Sequence, residues 1–318
     1  MWLWKNMISK SIVFAFFIIP GAFSHAPKGV FRTGGQSITK LKTRNVFDTR
    51  STPARSRPHA IERQIGAVPT GISTSSVPRP EIGNVPYGTR INSCTTPGVI
   101  ALTFDDGPYS YTKDLLDLLD QYNAKATFFI TGNNYHDISD CSTEYPALIQ
   151  RMHNSGHQIA SHTWTHPNLN TLSLTDFNNE MYYNEMALRN ILGFIPTYMR
   201  PPFVDCDSDC FSRLKDLGYH AIYYDIDTFD YANDSPDSIQ TSKDLFSNYF
   251  APHPENGLVL SHDIHYETVY NLTKFMLETM AADGYGTSVP LFQLNDVVEG
   301  SGNSYLNLSD PNRFVADK

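Results

Sequence analysis

A chain of 318 residues is long enough for a leader, a linker and one large domain, and its 41% hydrophobic content allows a sizeable core. The net charge of −9 is unevenly placed: residues 27–90 hold 11 Lys+Arg against 3 Asp+Glu, and residues 91–318 hold 11 against 30. So acidic a main domain argues against a nucleic-acid partner, and four cysteines are too few for a separate disulfide-rich binding module.

At the N-terminus, Lys5 and Lys10 precede the apolar run SIVFAFFII, which Pro20 and Gly21 break. Small residues follow at Ala22, Ser24 and Ala26. The run is shorter than the roughly 20 residues a membrane-spanning helix needs, so the pattern predicts a signal peptide over residues 1–26 and export, with no membrane contact after cleavage. Residues 27–90 are rich in Ser, Thr, Pro, Gly and Arg without an apolar period, which predicts a disordered basic linker or pro-segment. Sequons at Asn233, Asn271 and Asn307 fit an exported glycoprotein. Four cysteines fit an oxidising compartment and allow three pairings. Cys206 and Cys210, inside CDSDC, are close enough in sequence to clip a short loop, which leaves Cys94 with Cys141.

From residue 97 onward short apolar strands alternate with helical stretches. Strands are predicted at VIALTF (99–104), ATFFI (126–130), HQIASHT (157–163), PTYMR (196–200), HAIYYDI (220–226), GLVLSH (257–262) and VPLFQL (289–294). Helices are predicted over 112–123, 144–156, 175–192, 208–218, near 237–250 and over 266–282. About seven strand-then-helix units imply parallel strands joined by right-handed crossovers, closed into a barrel buried on both faces. In such a barrel the chemistry sits where strands end and loops begin.

The residues at those ends are alike in kind: Asp105 and Asp106, then His162 and His166, Arg200, Asp227 and Asp230, and finally His262. Two imidazoles and a carboxylate suit a borderline divalent ion such as zinc, with cobalt or another transition metal accepted by the same donors. His153 and His157 share the H-x-x-x-H spacing, but His153 closes a predicted helix and Gly156 breaks it, so they read as non-ligands. One aspartate of the pair then binds the metal and the other takes a proton from water, kept ionised by a cation such as Arg200 or Lys125. His262 can protonate a leaving group, with Asp230 holding its ring.

Together these residues resemble the polysaccharide deacetylases, carbohydrate esterase family four with its NodB-homology domain. Five stretches carry the resemblance in order over residues 97 to about 298: TFDDGP, His162-Thr-Trp164-Thr-His166, Arg200-Pro-Pro-Phe203, Asp227-Thr-Phe-Asp230-Tyr231 and Leu260-Ser-His262. The resemblance implies a distorted (β/α)7 barrel of the NodB-homology type over residues 91–300, followed by a tail over 301–318, and zinc-dependent removal of N-acetyl groups. It implies Asp105 as general base, Asp106, His162 and His166 as metal ligands, His262 as general acid and Asp230 as its tuning partner. It places the backbone N–H of Phe203 at the oxyanion, and Leu260, Tyr231 and Trp164 around the sugar and its acetyl methyl. Phe203 and Tyr231 stand where the family more often has Tyr and Trp. The stretches GHQIASHTWTHP, RPPF-x-x-CDSDC and VLSHDIH look like fungal chitin deacetylases, implying chitin or N-acetylglucosamine oligomers as substrate, and a monomer is expected. Peptidoglycan or acetylxylan is the alternative substrate, and a non-catalytic chitin-binding protein is the alternative class.

Overall fold

The computed structural model describes residues 67–81 and 83–285, together with the backbone of Tyr305–Asn307. The expected signal peptide, residues 27–66 of the expected linker, the expected strand 289–294 and the rest of the 301–318 tail lie outside the described residues.

Eight strands form one parallel sheet: β1 (Arg90–Ile91), β2 (Val99–Asp105), β3 (Thr127–Ile130), β4 (Gln158–Ser161), β6 (Tyr198–Met199), β7 (His220–Ile222), β8 (Ile226–Asp227) and β9 (Asn256–His262). Their order is β1-β7-β6-β4-β3-β2-β9-β8, and each pairing is parallel. β5 (Phe194–Pro196) pairs antiparallel with β10 (Tyr305–Asn307) outside this sheet, inside the stretch expected to be a tail. Helices α1 (Thr112–Gln121), α2 (Tyr145–Asn154), α3 (Leu174–Leu192), α4 (Ser208–Asp216) and α5 (Ile239–Phe250) match the expected helices to within a few residues, and the helix expected over 266–282 is a π-helical segment, Thr268–Leu272, followed by α6 (Thr273–Ala282).

The predicted strand HAIYYDI is two strands. β7 pairs with β1 and β6, whereas β8 pairs with β9 at the other end of the order. Only Tyr223–Asp225 lie between them, so three residues carry the chain from β7, second from one edge, to β8 at the other edge, and the sheet must curl back on itself. This is the distorted barrel, and the seam explains the break. Tyr223 N–H turns to Ile91 O (2.7 Å) and Asp225 N–H to Leu258 O (3.1 Å), partners on opposite sides of the gap.

Alternation along β2 shows how the barrel fills. Ile100, Leu102 and Phe104 face outward, onto Leu115, Leu116 and Leu119 of α1. Ala101 faces inward and packs with Phe129, Ala160, Tyr198, Ile222, Leu258 and Cys94. Thr103 and Asp105 continue the inward row by the two-residue period. A strand apolar on both faces thus ends, on its inner face, in a carboxylate.

The expected linker also changes. Arg79 forms a bidentate ion pair with the buried Glu185 of α3 (2.6 and 2.8 Å), Val85 and Tyr87 are buried, and Arg90 opens β1. The domain therefore begins before residue 91. Serine-rich and proline-rich composition hid this, because one buried ion pair and a few apolar residues carry no period.

The Cys206–Cys210 disulfide is present beside the N-cap of α4, where Asp207 Oδ1 accepts from Cys210 N–H (2.9 Å). The Cys94–Cys141 pairing is not formed: Cys94 is a buried free thiol in the lumen before β2, its Sγ 3.4 Å from Gly257 O, and Cys141 is an exposed free thiol. Cys94 precedes the N-terminal end of the sheet and Cys141 follows the C-terminal end of β3, so elimination by counting failed against geometry.

Candidate active site

Parallel strands bring their C-terminal ends to one rim, and register decides which residues meet there. β2 and β9 align so that Asp105 stands opposite His262, and β8 sets Asp227 beside Leu260. Across the rim, His162 N–H donates to Ile130 O (2.8 Å) and Arg200 N–H to Ser161 O (3.0 Å), placing His162 and Arg200 side by side. The result is a cleft of about 330 Å³. Asp105, Asp106, His162, His166, Phe203, Tyr231, Leu260 and His262 line it, and Arg200 and Asp230 lie buried behind it.

The loops that close the rim are locally strained. Among the described non-glycine residues eight have positive φ, and six of these are Asp106 (75°), Thr163 (70°), His166 (57°), Phe203 (60°), Val204 (53°) and Phe229 (51°). The left-handed region disfavours side chains, and a β-branched Thr or Val most of all. In HTWTH this geometry replaces the helical H-x-x-x-H. It turns both imidazoles to the cleft and sends the intervening Trp164 inward. Trp164 is fully buried against Gly132, where a Cβ would stand 2.0 Å from the indole. Trp164 is therefore a core residue and not part of the sugar wall.

Asp106 Oδ1 lies 3.2 Å from His166 Nε2 and 3.5 Å from His162 Nε2. Among the described residues this is the one cluster of three donors that could hold a metal ion. Two further observations fit a cation. Asp106 Oδ1 is buried without a hydrogen-bond donor, a costly state for a carboxylate oxygen unless a positive ion faces it. His162 Nδ1 lies 2.7 Å from Arg200 O, a bond that fixes the tautomer and leaves the Nε2 lone pair on the cleft. Burial holds His162 neutral, its pKa pushed down to about 3. Burial, with the charges of Asp105 and Asp230, lifts Asp106 to about 6, and His262 opposes this. His157, of the second H-x-x-x-H pair, instead uses Nδ1 to accept from Ala126 N–H (3.1 Å) inside the core.

Asp105 is held differently. Arg200 Nη1 donates to Asp105 Oδ1 at 2.6 Å with both side chains buried, while Lys125 pairs with Asp120 (3.9 Å). Arg200 also donates to Thr103 Oγ1 (2.8 Å), Ile222 O (3.3 Å) and Tyr223 O (2.6 Å), and its guanidinium stacks 4.2 Å from the Phe129 ring. One side chain thus caps the carbonyls at the barrel seam and neutralises the inner carboxylate. Burial raises the Asp105 pKa above the usual carboxylate range, and Arg200 moderates the rise.

His262 is tied to Asp230 by Nδ1 (2.8 Å), and Asp230 Oδ2 accepts from His262 N–H (2.7 Å) and Thr268 Oγ1 (2.8 Å). Burial disfavours the imidazolium, but the charge and hydrogen bond of Asp230, then Asp105 and Asp106, outweigh it and raise the His262 pKa to about 10. Asp230 itself is held below its ordinary value despite burial, chiefly by His262. The arrangement brings a carboxylate held by an arginine, an imidazole held by a carboxylate and three donors that could hold a metal ion around one cavity.

Tyr224, Val204 and Asp227 also line the cleft. Tyr224 lay inside an apparently continuous strand, where only the seam could have singled it out. Asp227 accepts from the Tyr231 hydroxyl (3.4 Å) and from Phe229 N–H (2.8 Å), which shapes the platform loop. Of the sequons, Asn233 has its amide bonded to Phe229 O (2.9 Å) and Ser242 Oγ (3.2 Å).

Comparison with known proteins agrees with this geometry. Residues 92–222 match the polysaccharide deacetylase family model. A chitin deacetylase of Colletotrichum lindemuthianum is 45% identical over 203 residues, covering 63% of this chain and 81% of that protein. A chitin deacetylase of a Pestalotiopsis species is 43% identical over 219 residues, covering 69% and 71%. The solved structure of the Colletotrichum lindemuthianum chitin deacetylase superposes with a TM-score of 0.66 at 41% identity, covering 71% of this chain and the whole of that one. The rim of donors, the curled parallel sheet and these likenesses agree on one assignment: the chain belongs to the polysaccharide deacetylase family.

Proposed function

We propose that the protein is an exported, metal-dependent hydrolase that removes N-acetyl groups from chitin or N-acetylglucosamine oligomers, releasing acetate and leaving free amines. The observation that carries this is the division of labour between the adjacent carboxylates: Asp106 joins the two imidazoles, while Asp105 pairs with a buried arginine.

Asp106, His162 and His166 would hold the ion. When bound, a divalent ion there polarises the acetyl carbonyl and makes a water acidic enough to attack. Asp105 takes the proton from that water. The backbone N–H of Phe203, a residue of the cleft wall, would donate to the developing oxyanion, and Leu260 and Tyr231 would bound the acetyl group and the sugar. His262, its Nδ1 occupied by Asp230, delivers a proton from Nε2 to the departing amine. Water and amide are thereby converted to acetate and amine. Zinc suits the two-nitrogen, one-oxygen donor set. Export rests on the signal-like N-terminus and the Cys206–Cys210 bridge. No described helix is long and apolar enough to cross a membrane. The reading needs a single chain only, since that chain carries every proposed catalytic group.

The direct test follows acetate release from N-acetylglucosamine oligomers by metal-stripped protein before and after zinc is added. Zinc-dependent release supports the reading. Zinc binding without release from any oligomer overturns the substrate, and peptidoglycan or acetylxylan would then be tried.

The Asp230–His262 pair makes a separate prediction. An acid must be protonated to act, so activity falls as pH rises through the His262 pKa. Asp230→Asn removes the negative charge that raises that pKa, so the alkaline limb of kcat/KM should move to lower pH. A pH profile with an unmoved limb would show that His262 is not the acid.

A further inference from the structure

Ten large hydrophobic side chains are exposed among the described residues, and six are aromatic: Tyr135, Phe203, Phe229, Tyr231, Tyr266 and Tyr270. All six follow the C-terminal ends of strands, on the rim that carries the cleft. Phe203 and Tyr231 line the cleft itself. Tyr135, Tyr266 and Tyr270 form a second group with no place in the chemistry. Tyr135 stands 5.1 Å from Tyr109, Tyr109 5.4 Å from Tyr111, and Tyr111 5.6 Å from Tyr266 and 5.9 Å from Tyr270 (centroid distances). Tyr266 and Tyr270 are 4.4 Å apart.

This ladder begins at the catalytic loops. Tyr109 is three residues beyond Asp106, and Tyr266 four beyond His262. Tyr135 lies five residues beyond Ile130, whose carbonyl accepts from His162 N–H. The supports are fixed. Tyr109 N–H donates to Thr112 Oγ1 (2.8 Å), Thr112 Oγ1 to the buried Asp263 next to His262 (2.5 Å), and the Tyr270 hydroxyl to Asp114 (2.5 Å). Tyr109 and Tyr111 are half-buried as a floor, and Tyr135, Tyr266 and Tyr270 keep 52%, 50% and 39% of their surface open.

Loop packing alone would bury such rings. A rigid row of half-open aromatic rings that starts at an active site suits a ligand with flat C–H faces. The carboxylate of Asp114 bonded to the row disfavours an anionic chain.

We propose that the tyrosine ladder is an extended glycan subsite, holding sugar units of the same neutral N-acetylhexosamine chain beside the unit whose acetamide enters the cleft. The inference rests on the deacetylase reading above. It is tested by calorimetry on zinc-loaded full-length protein carrying Asp105→Asn, with the N-acetylglucosamine dimer and hexamer as probes. Tyr266→Ala and Tyr135→Ala should each lower hexamer affinity about tenfold more than dimer affinity, and Tyr266→Phe should restore it. Equal losses for both sugars, or none, with unchanged thermal melting, overturn the ladder. If an alanine variant fails to fold, ring resonances of the ladder tyrosines decide: they should shift with hexamer and not with dimer, and shifts with neither overturn the proposal. Acetate release by the unmodified enzyme reports separately on the reaction. Release with no ladder effect sinks the ladder alone, and neither release nor binding sinks both.

Discussion

Asp105→Asn should reduce acetate release by about 10²–10⁴-fold while leaving zinc affinity nearly intact, and His162→Ala should lose metal and activity together. The contrast follows from where the two neighbouring carboxylates point. Asp106 Oδ1 faces both imidazoles, so it is the carboxylate that completes the candidate ion site. Asp105 Oδ1 is turned to Arg200, with Oδ2 3.8 Å from His162 Nε2, so it sits next to the ion's site without completing it. An amide in place of the Asp105 carboxyl keeps the volume and loses the proton acceptor. Metal content measured beside turnover separates the two effects. Full turnover in Asp105→Asn would remove the base assignment, and full metal occupancy in His162→Ala would contradict the triad.

The strand ends were legible in the sequence because parallel strands are apolar runs with polar residues at one end, and register is regular once pairing is known. Asp105, Asp106, His162, His166, Arg200, Asp230 and His262 all reach the one site for that reason. What the sequence hid was geometry without a period. Trp164 sits between two site histidines, yet positive φ at Thr163 turns it into the core. HAIYYDI reads as one strand because closing a curled sheet leaves no mark in hydropathy. Cys94 and Cys141 are equivalent in a count and lie at opposite ends of the strands. The Arg79–Glu185 pair, 106 residues apart, attaches a stretch whose composition alone argues for disorder.

Arg200→Met should cost about 3–5 kcal/mol of stability, which for a domain of this size lowers the melting temperature by roughly 6–20 °C. The side chain is fully buried and serves four partners, so its loss strands the Asp105 carboxyl and takes a donor from two seam carbonyls, while Thr103 Oγ1 keeps its bond to Val259 O. The activity effect has a separate sign. A base must be ionised, so activity falls as pH drops through the Asp105 pKa. Arg200 opposes the burial that raises this pKa, so its removal should carry the acid limb of kcat/KM to higher pH. Arg200→Lys keeps a charge but cannot reach Asp105 and the seam at once, so it should restore part of the limb shift and little of the stability. Adding Asp105→Asn to Arg200→Met removes the uncompensated carboxylate, and the double variant should melt above Arg200→Met alone. Strict additivity of the two substitutions in that cycle would mean that the arginine holds the seam without tuning the base.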